Sequence, residues 1–274
     1  MIKSMLFILF ISTFGVFQNC FAYDFNSIFA APKEPPSKVK VIDARSRDRW
    51  LKGRLKDSVF FDWDHFSQPG AGSRGSLRID PQVVADDLAD SGFSPSDTVY
   101  IYGYGASGRG NEGRIAWLLY GLGFNKIHVS DFKTAVAWNK KLLVKGPFVP
   151  TPVAKWTPKL RNDLTLKFSQ FKKNWVSNKN KKYILIGMRR GAKPKLPGVY
   201  FPSELNIELN LFLKQPDQIR TAILEHMKRK KYDKSVPILP LSFAGLSSAY
   251  VCLILKSWGF NALLIPEGYS IELD

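Results

Sequence analysis

The chain has 274 residues, of which 45% are hydrophobic and 23% charged, with two cysteines and a formal net charge of +17 at pH 7. The length suits two domains of ordinary size. The cysteine count excludes an internal disulfide: Cys20 falls in an N-terminal segment expected to be removed, which leaves Cys252 alone.

That segment opens the chain. Lys3 precedes an apolar run from Met5 to Phe17, followed by Gln18-Asn19-Cys20-Phe21-Ala22. A basic start, a run of this length and small residues at Cys20 and Ala22 predict a secretory signal over residues 1–22, cleaved after Ala22. The protein is therefore expected to be exported, periplasmic or secreted. An apolar run of 13 residues falls short of the roughly 20 that span a bilayer. Phe17, Gln18 and Asn19 are poor residues to precede a lipidated cysteine, which disfavours a lipid anchor through Cys20.

After a Pro-rich entry at 31–36, residues 39–43 predict a short buried strand, 45–51 a helical turn and 59–61 a second strand. Asp80 is placed as N-cap of a helix that begins with Pro81, buries Val83, Val84 and Leu88, and stops at Gly92. Residues 98–102 read as a strand, 112–122 as a helix and 126–129 as another strand. The basic stretch 138–182, with Pro147, Pro150, Pro152 and Pro158, reads as a linker followed by a helix. The second half repeats the order, with a strand at 183–188, a helix at 217–230, a strand ending near Leu241, a helix burying Ala249, Cys252, Leu253 and Leu255, and a final strand at 262–265. This alternation predicts an α/β fold of mainly parallel sheets flanked by helices.

Local matches support one unit used twice. Val41-Ile42-Asp43-Ala44-Arg45 aligns with Leu185-Ile186-Gly187-Met188-Arg189, and Gly123-Phe124-Asn125 with Gly259-Phe260-Asn261, at offsets of 144 and 136 residues. The expected boundaries are 36–140 for the first domain, 141–163 for the linker and 164–274 for the second domain. Charge divides unevenly between them: residues 139–274 carry 24 Lys+Arg against 9 Asp+Glu, whereas residues 23–138 carry 15 against 14. The second half should attract an acidic partner or an anionic membrane surface, unless the surplus merely solubilises. Export argues against nucleic acid, and runs such as Lys228-Arg229-Lys230-Lys231 are favoured at helix C-termini by the dipole.

The stretch 236–259 carries the chemistry. A strand feeds the turn Ser242-Phe243-Ala244-Gly245-Leu246-Ser247-Ser248, which wraps the N-terminus of a helix. Such a loop points several backbone N–H groups at one spot and suits an anion. It resembles the active-site loop of the rhodanese (thiosulfate sulfurtransferase) family, roughly Cys-x-x-Gly-x-[Arg/Ser]-[Ser/Ala]: Gly245, Ser247 and Ser248 match, and Ser242 stands at the cysteine.

The two-copy layout is similar to that of tandem rhodaneses over most of residues 38–270. Asp43-Ala44-Arg45 resembles the family's Asp-x-Arg. Lys52-Gly53-Arg54-Leu55 and Pro194-Lys195-Leu196-Pro197-Gly198 stand where the family has Gly-His-Ile-Pro-Gly-Ala, and Glu112-Gly113-Arg114-Ile115-Ala116-Trp117 looks like a rhodanese helix start. In tandem rhodaneses only the second copy usually carries the nucleophile, so Gly103 in the first copy fits the family and Ser242 does not. Arg54 and Lys195 replace the two family histidines, and Gly187 replaces the second-copy aspartate.

Sulfur transfer needs a nucleophile that is ionised near neutral pH and holds a persulfide; an alcohol does neither unaided. Cys252, ten residues on and inside the helix, reads as a packed small hydrophobe. His65, His128 and His226 offer Ser242 no triad context, and His226 among Glu225, Lys228 and Arg229 reads as solvated. There is no metal-ligand spacing, no Gly-Lys-Ser/Thr phosphate loop and no His-Cys-x5-Arg loop, so neither metal nor cofactor is expected. The expected function is a non-catalytic module that binds a small oxyanion or an acidic partner, with Arg189 and Lys195 as candidate anion contacts. The rival is a sulfurtransferase of residual activity on thiosulfate-like donors. The Gly-rich loop 103–111, with Arg109 and Arg114 beside it, stays open between an anion cradle and a flexible turn.

Overall fold

The computed structural model describes residues 25–67, 80–138, 143–177, 183–188, 195–196, 199–200, 204–242 and 244–268. The expected signal segment 1–22, Phe243 and Arg189 lie outside the described residues, as does the side chain of Lys195.

In chain order the elements are β1 (Val39–Asp43), α1 (Arg47–Lys52), β2 (Arg54–Leu55), β3 (Ser58–Phe60), α2 (Pro81–Asp90), β4 (Thr98–Gly103), α3 (Asn111–Gly121), β5 (Lys126–Asp131), α4 (Phe132–Trp138) and β6 (Leu143–Val144). They continue with α5 (Phe168–Ser177), β7 (Ile184–Gly187), β8 (Lys195–Leu196), β9 (Val199–Tyr200), β10 (Leu205–Asn206), α6 (Leu209–Lys214), α7 (Pro216–Lys230), β11 (Ile238–Leu241) and α8 (Leu246–Ser257). Strands β3-β1-β4-β5 form one parallel sheet and β10-β7-β11 another. Every residue of β4, β7 and β11 is buried, as parallel strands covered on both faces require.

Local chemistry sets several boundaries. The Asp80 carboxylate accepts from the N–H of Gln82 and Pro81 opens α2, as the sequence predicts. The Asp43 carboxylate receives the Arg45 backbone N–H at 3.0 Å and its Nη2 at 2.7 Å, while Nη2 also reaches the Gly53 carbonyl, so the Asp-x-Arg pair ties β1 to the turn after α1. The Arg45 guanidinium lies 3.6 Å from the centre of the Phe132 ring. Arg54 is buried, and its Nε and Nη2 donate to the carbonyls of Gly146 and Pro147. The basic stretch after α4 is thereby held against the first sheet. Trp156 extends that attachment, donating from Nε1 to the Phe93 carbonyl at 2.9 Å.

Three expectations change. Val83 is 43% exposed, and α2 buries Val84, Ala85, Leu88 and Ala89, a face turned about one residue from the predicted one. Residues 262–265 form single bridges rather than a strand, Ala262 with Ile238 and Leu264 with Thr165; Pro266, which has no N–H to donate, ends the pairing. His226 is buried rather than solvated, because it falls on the inner face of α7 with Ile223 and Met227. Its Nε2 lies 2.8 Å from Glu204 Oε2, and the Tyr232 hydroxyl donates to Glu204 Oε1.

One continuous core joins the two sheets, and α3 and α8 lie at its centre. Gly113 permits their close approach: a Cβ there would stand 2.5 Å from the Tyr250 side chain and 2.6 Å from its Cα. Residues 25–29 pack along the same seam, with Ile28 buried, Phe25 on Tyr120 and Phe29 on Tyr250. Gly113→Ala is expected to cost about 1–3 kcal/mol by overpacking, measured by urea unfolding; an unchanged midpoint would show that the helices separate without cost.

Candidate functional site

The site is assembled where β11 hands the chain to α8. Ala244 (φ 54°) and Gly245 (φ 67°) both take left-handed backbone, which glycine adopts freely and alanine at some cost. Gly245 is the N-cap of α8, and a Cβ there would collide with the Pro266 carbonyl. A Cβ on Gly268 would collide with the Ser242 carbonyl and lie 2.8 Å from the Gly245 nitrogen. The turn 266–268 therefore lies directly against the loop, and small residues on both sides permit the contact.

Inside the loop, the Ser248 N–H donates to Ser242 Oγ at 3.2 Å, and the two hydroxyl oxygens are 2.8 Å apart. Ser242 is 7% exposed and Ser248 fully buried. Among the described residues, neither a histidine nor a carboxylate is hydrogen-bonded to Ser242. The histidines are engaged elsewhere: His65 near Asp87, His128 with the carbonyls of Ser27 and Ala30, and His226 with Glu204. An alcohol without a base stays protonated and is a poor nucleophile.

Cys252 is fully buried in the middle of α8, and burial pushes its thiol up to about 12 despite the nearby Lys256. A thiol held neutral in apolar surroundings is inert. The expectation of a packed small hydrophobe describes what the side chain does.

The Gly-rich loop between β4 and α3 has the same plan, with Gly110 (φ 92°) as N-cap. It lies edge to edge with the second loop: a Cβ on Gly110 would stand 3.2 Å from the Leu246 carbonyl, and Ser247 Oγ donates to the Arg109 carbonyl at 2.8 Å. Its cradle is already filled. The Glu112 carboxylate lies against Gly103, and its Oε1 accepts the Gly105 N–H at 2.8 Å. Glu112 is fully buried; burial raises its pKa to about 7, against backbone N–H donors that favour the charge. The side chain set against the strand end is the Glu112 carboxylate in the first loop, beside Gly103, and the Ser248 hydroxyl in the second, beside Ser242. The first loop thus carries its own carboxyl group, and the second has a hydroxyl there. Sequence reasoning missed this plug, although an acidic residue inside the apolar run NEGRIAWLLYG was a visible signal.

Arg109 is exposed at the rim, whereas Arg114 is buried rather than facing solvent beside the first loop. Its guanidinium lies over the Trp117 ring at 4.5 Å, and burial lowers its pKa to about 9, opposed by Glu267.

The chain has the fold of the rhodanese-type sulfurtransferases. It is similar to the 3-mercaptopyruvate sulfotransferase SseA from Escherichia coli, with a TM-score of 0.67 and 17% identity over 85% of this chain and 93% of that one. It is also similar to the Tum1 protein of Saccharomyces cerevisiae, with a TM-score of 0.66 and 18% identity over 87% of this chain and 89% of that one. The 3-mercaptopyruvate sulfurtransferase of Leishmania major gives a TM-score of 0.62 and 18% identity over 88% of this chain and 75% of that one. At these identities the likeness is one of fold. No protein-family model matches the sequence, and no curated protein is similar to it in sequence.

Glu112 gives the site a pH signature. Its folded pKa of about 7 exceeds the unfolded value of 4.5, so the neutral acid is favoured in the folded state. That stability is fully present below pH 4.5 and is lost as pH rises through 7. Glu112→Gln mimics the neutral acid and should match the wild type in acid, yet exceed it by about 3 kcal/mol above pH 8. Urea unfolding across this range checks the prediction, and a constant difference would contradict it.

Proposed function

We propose that this is an exported tandem rhodanese-like protein that does not transfer sulfur through cysteine and whose second loop binds a small oxyanion or an acidic partner group. The domains are those expected from the sequence, 36–140 and 164–274, joined by 141–163. One observation carries the reading: the side chain set against the first loop is the Glu112 carboxylate, whereas the one set against Ser242 in the second loop, Ser248, brings only a hydroxyl. The second loop keeps the N-terminus of a 12-residue helix and glycine and serine at the positions that allow the tight wrap. Arg189 and Lys195 remain candidate contacts to the anion. The basic surplus of the second half would draw acidic partners or an anionic membrane surface toward this side of the chain.

The fold neighbours favour a different reading, a sulfurtransferase of residual activity; the buried, base-free Ser242 and the neutral Cys252 oppose it, and function resides in the site rather than the fold. A thiosulfate:cyanide sulfurtransferase assay on the mature protein separates the two. The wild type should form no thiocyanate and carry no persulfide mass adduct, and Ser242→Cys should regain at most a trace of activity. Robust wild-type turnover abolished by Cys252→Ser would overturn the non-catalytic reading. Export rests on residues 1–22, and N-terminal sequencing of the secreted or periplasmic protein should begin at Tyr23; a soluble cytoplasmic form retaining Met1 would contradict it.

A further inference from the structure

A groove of about 360 Å³ runs between the first loop, the end of β5 and the helices α6 and α8. Its volume falls in the range of small-molecule sites. Phe212 and Trp258, stacked with ring centres 5.9 Å apart, form one wall together with Ile254. Phe29 and Tyr250 add two further rings, whose centres are 5.7 Å apart.

The charged group of the groove is Asp131. It ends β5 opposite Gly103 of β4 and caps α4: Oδ1 accepts the Thr134 N–H at 2.8 Å, and Oδ2 accepts the Thr134 hydroxyl at 3.2 Å. Gly105, in left-handed backbone, lets the first loop close on it, since a Cβ there would stand 2.7 Å from the Asp131 Cβ. The carboxylate is thereby fixed in place. It forms no ion pair among the described residues, and no described lysine or arginine lines the groove.

Tyr250 is a second, independent observation. It is 2% exposed and lines the groove, yet its hydroxyl has no hydrogen-bond partner among the described residues. A buried phenol ordinarily has one. Burial, with the charges of Glu112 and Asp131, holds its pKa well above the usual tyrosine range, so the hydroxyl stays neutral.

We propose that this groove binds a small organic cation: a primary ammonium group, held by the Asp131 carboxylate and the Tyr250 oxygen, on an apolar body that lies against Phe212 and Trp258. A carboxylate without an ion partner draws a cation and repels an anion. Aromatic faces attract the cation further. The neutral Tyr250 oxygen has lone pairs free to accept a second ammonium N–H. An anionic ligand would face Asp131 with no described cation in the groove to hold it. The site is thus opposite in sign to the second loop, and it stands whether or not that loop binds an oxyanion.

The test titrates the full, isotope-labelled mature chain with phenethylamine, phenylpropionate and phenethyl alcohol, whose bodies are alike and whose polar groups are cationic, anionic and neutral. Binding is followed by calorimetry and by amide and indole resonances. Phenethylamine should bind and shift Gly105, Ala106, Asp131 and the Trp258 indole N–H, and phenylpropionate should not. Asp131→Asn, which keeps an acceptor for the Thr134 N–H, should weaken phenethylamine binding about tenfold. Tyr250→Phe, which keeps the ring, should weaken it about threefold. Equal binding of the anionic or the neutral compound would overturn the proposal, as would an affinity unchanged in Asp131→Asn. Shifts centred elsewhere, or none in the groove at any concentration that leaves the fold intact, would overturn it too. If Asp131→Asn does not fold, Tyr250→Phe and the comparison of the three compounds on the wild type still decide.

Discussion

The structure depends on the close contact of α3 with α8. Each helix follows the loop at the end of a fully buried parallel strand, and each begins at a glycine in left-handed backbone. With Gly113 set against Tyr250, the helix starts are drawn together until Gly110 meets Leu246 and Ser247 meets Arg109. The same contact brings Arg114 of one half behind Gly245 of the other. The two loops are consequently one structural unit, although more than 130 residues of sequence separate them.

Within that unit the loops have opposite electrostatic fates. Backbone N–H groups at a helix start favour a negative charge. The first loop meets the demand internally through Glu112, whose carboxylate takes the Gly105 N–H in a fully buried space. In the second loop one N–H, that of Ser248, goes to the neutral Ser242 hydroxyl, and no described carboxylate takes the place of Glu112. Ser242 is a buried hydroxyl hydrogen-bonded to Ser248, with no base described beside it. Cys252 has the right element at the wrong depth, two turns inside a buried helix.

Much of this was legible because it is local. The Asp80-Pro81 helix start, the Asp43-Ala44-Arg45 pair and the glycine-serine turn before α8 are each set by a few neighbouring residues; the structure places the first two as read and begins α8 at Leu246, so that Leu246, Ser247 and Ser248 belong to the helix rather than to the turn. The departures are tertiary. His226 looked solvated because its neighbours in sequence are charged, but its environment is set by Glu204, 22 positions away. Val83 was assigned to the core from apolarity alone, whereas the packing of α2 selects the adjacent face. Arg54 is a tie to the carbonyls of Gly146 and Pro147, which no local pattern announces. Glu112 and Arg114 are charged residues in an otherwise apolar helix: Glu112 turns back onto Gly105 of its own loop, and Arg114 meets Gly245 only when the second half is packed against the first.

The claim that one loop is filled and the other receptive is tested most directly by titrating isotope-labelled mature protein with sulfate and following its amide resonances. The largest shifts should fall on Gly245, Leu246, Ser247 and Ser248, with Gly105 unmoved because Glu112 holds its N–H. Shifts centred on residues 105–111, or none at 245–248 at any sulfate concentration that leaves the fold intact, would contradict it.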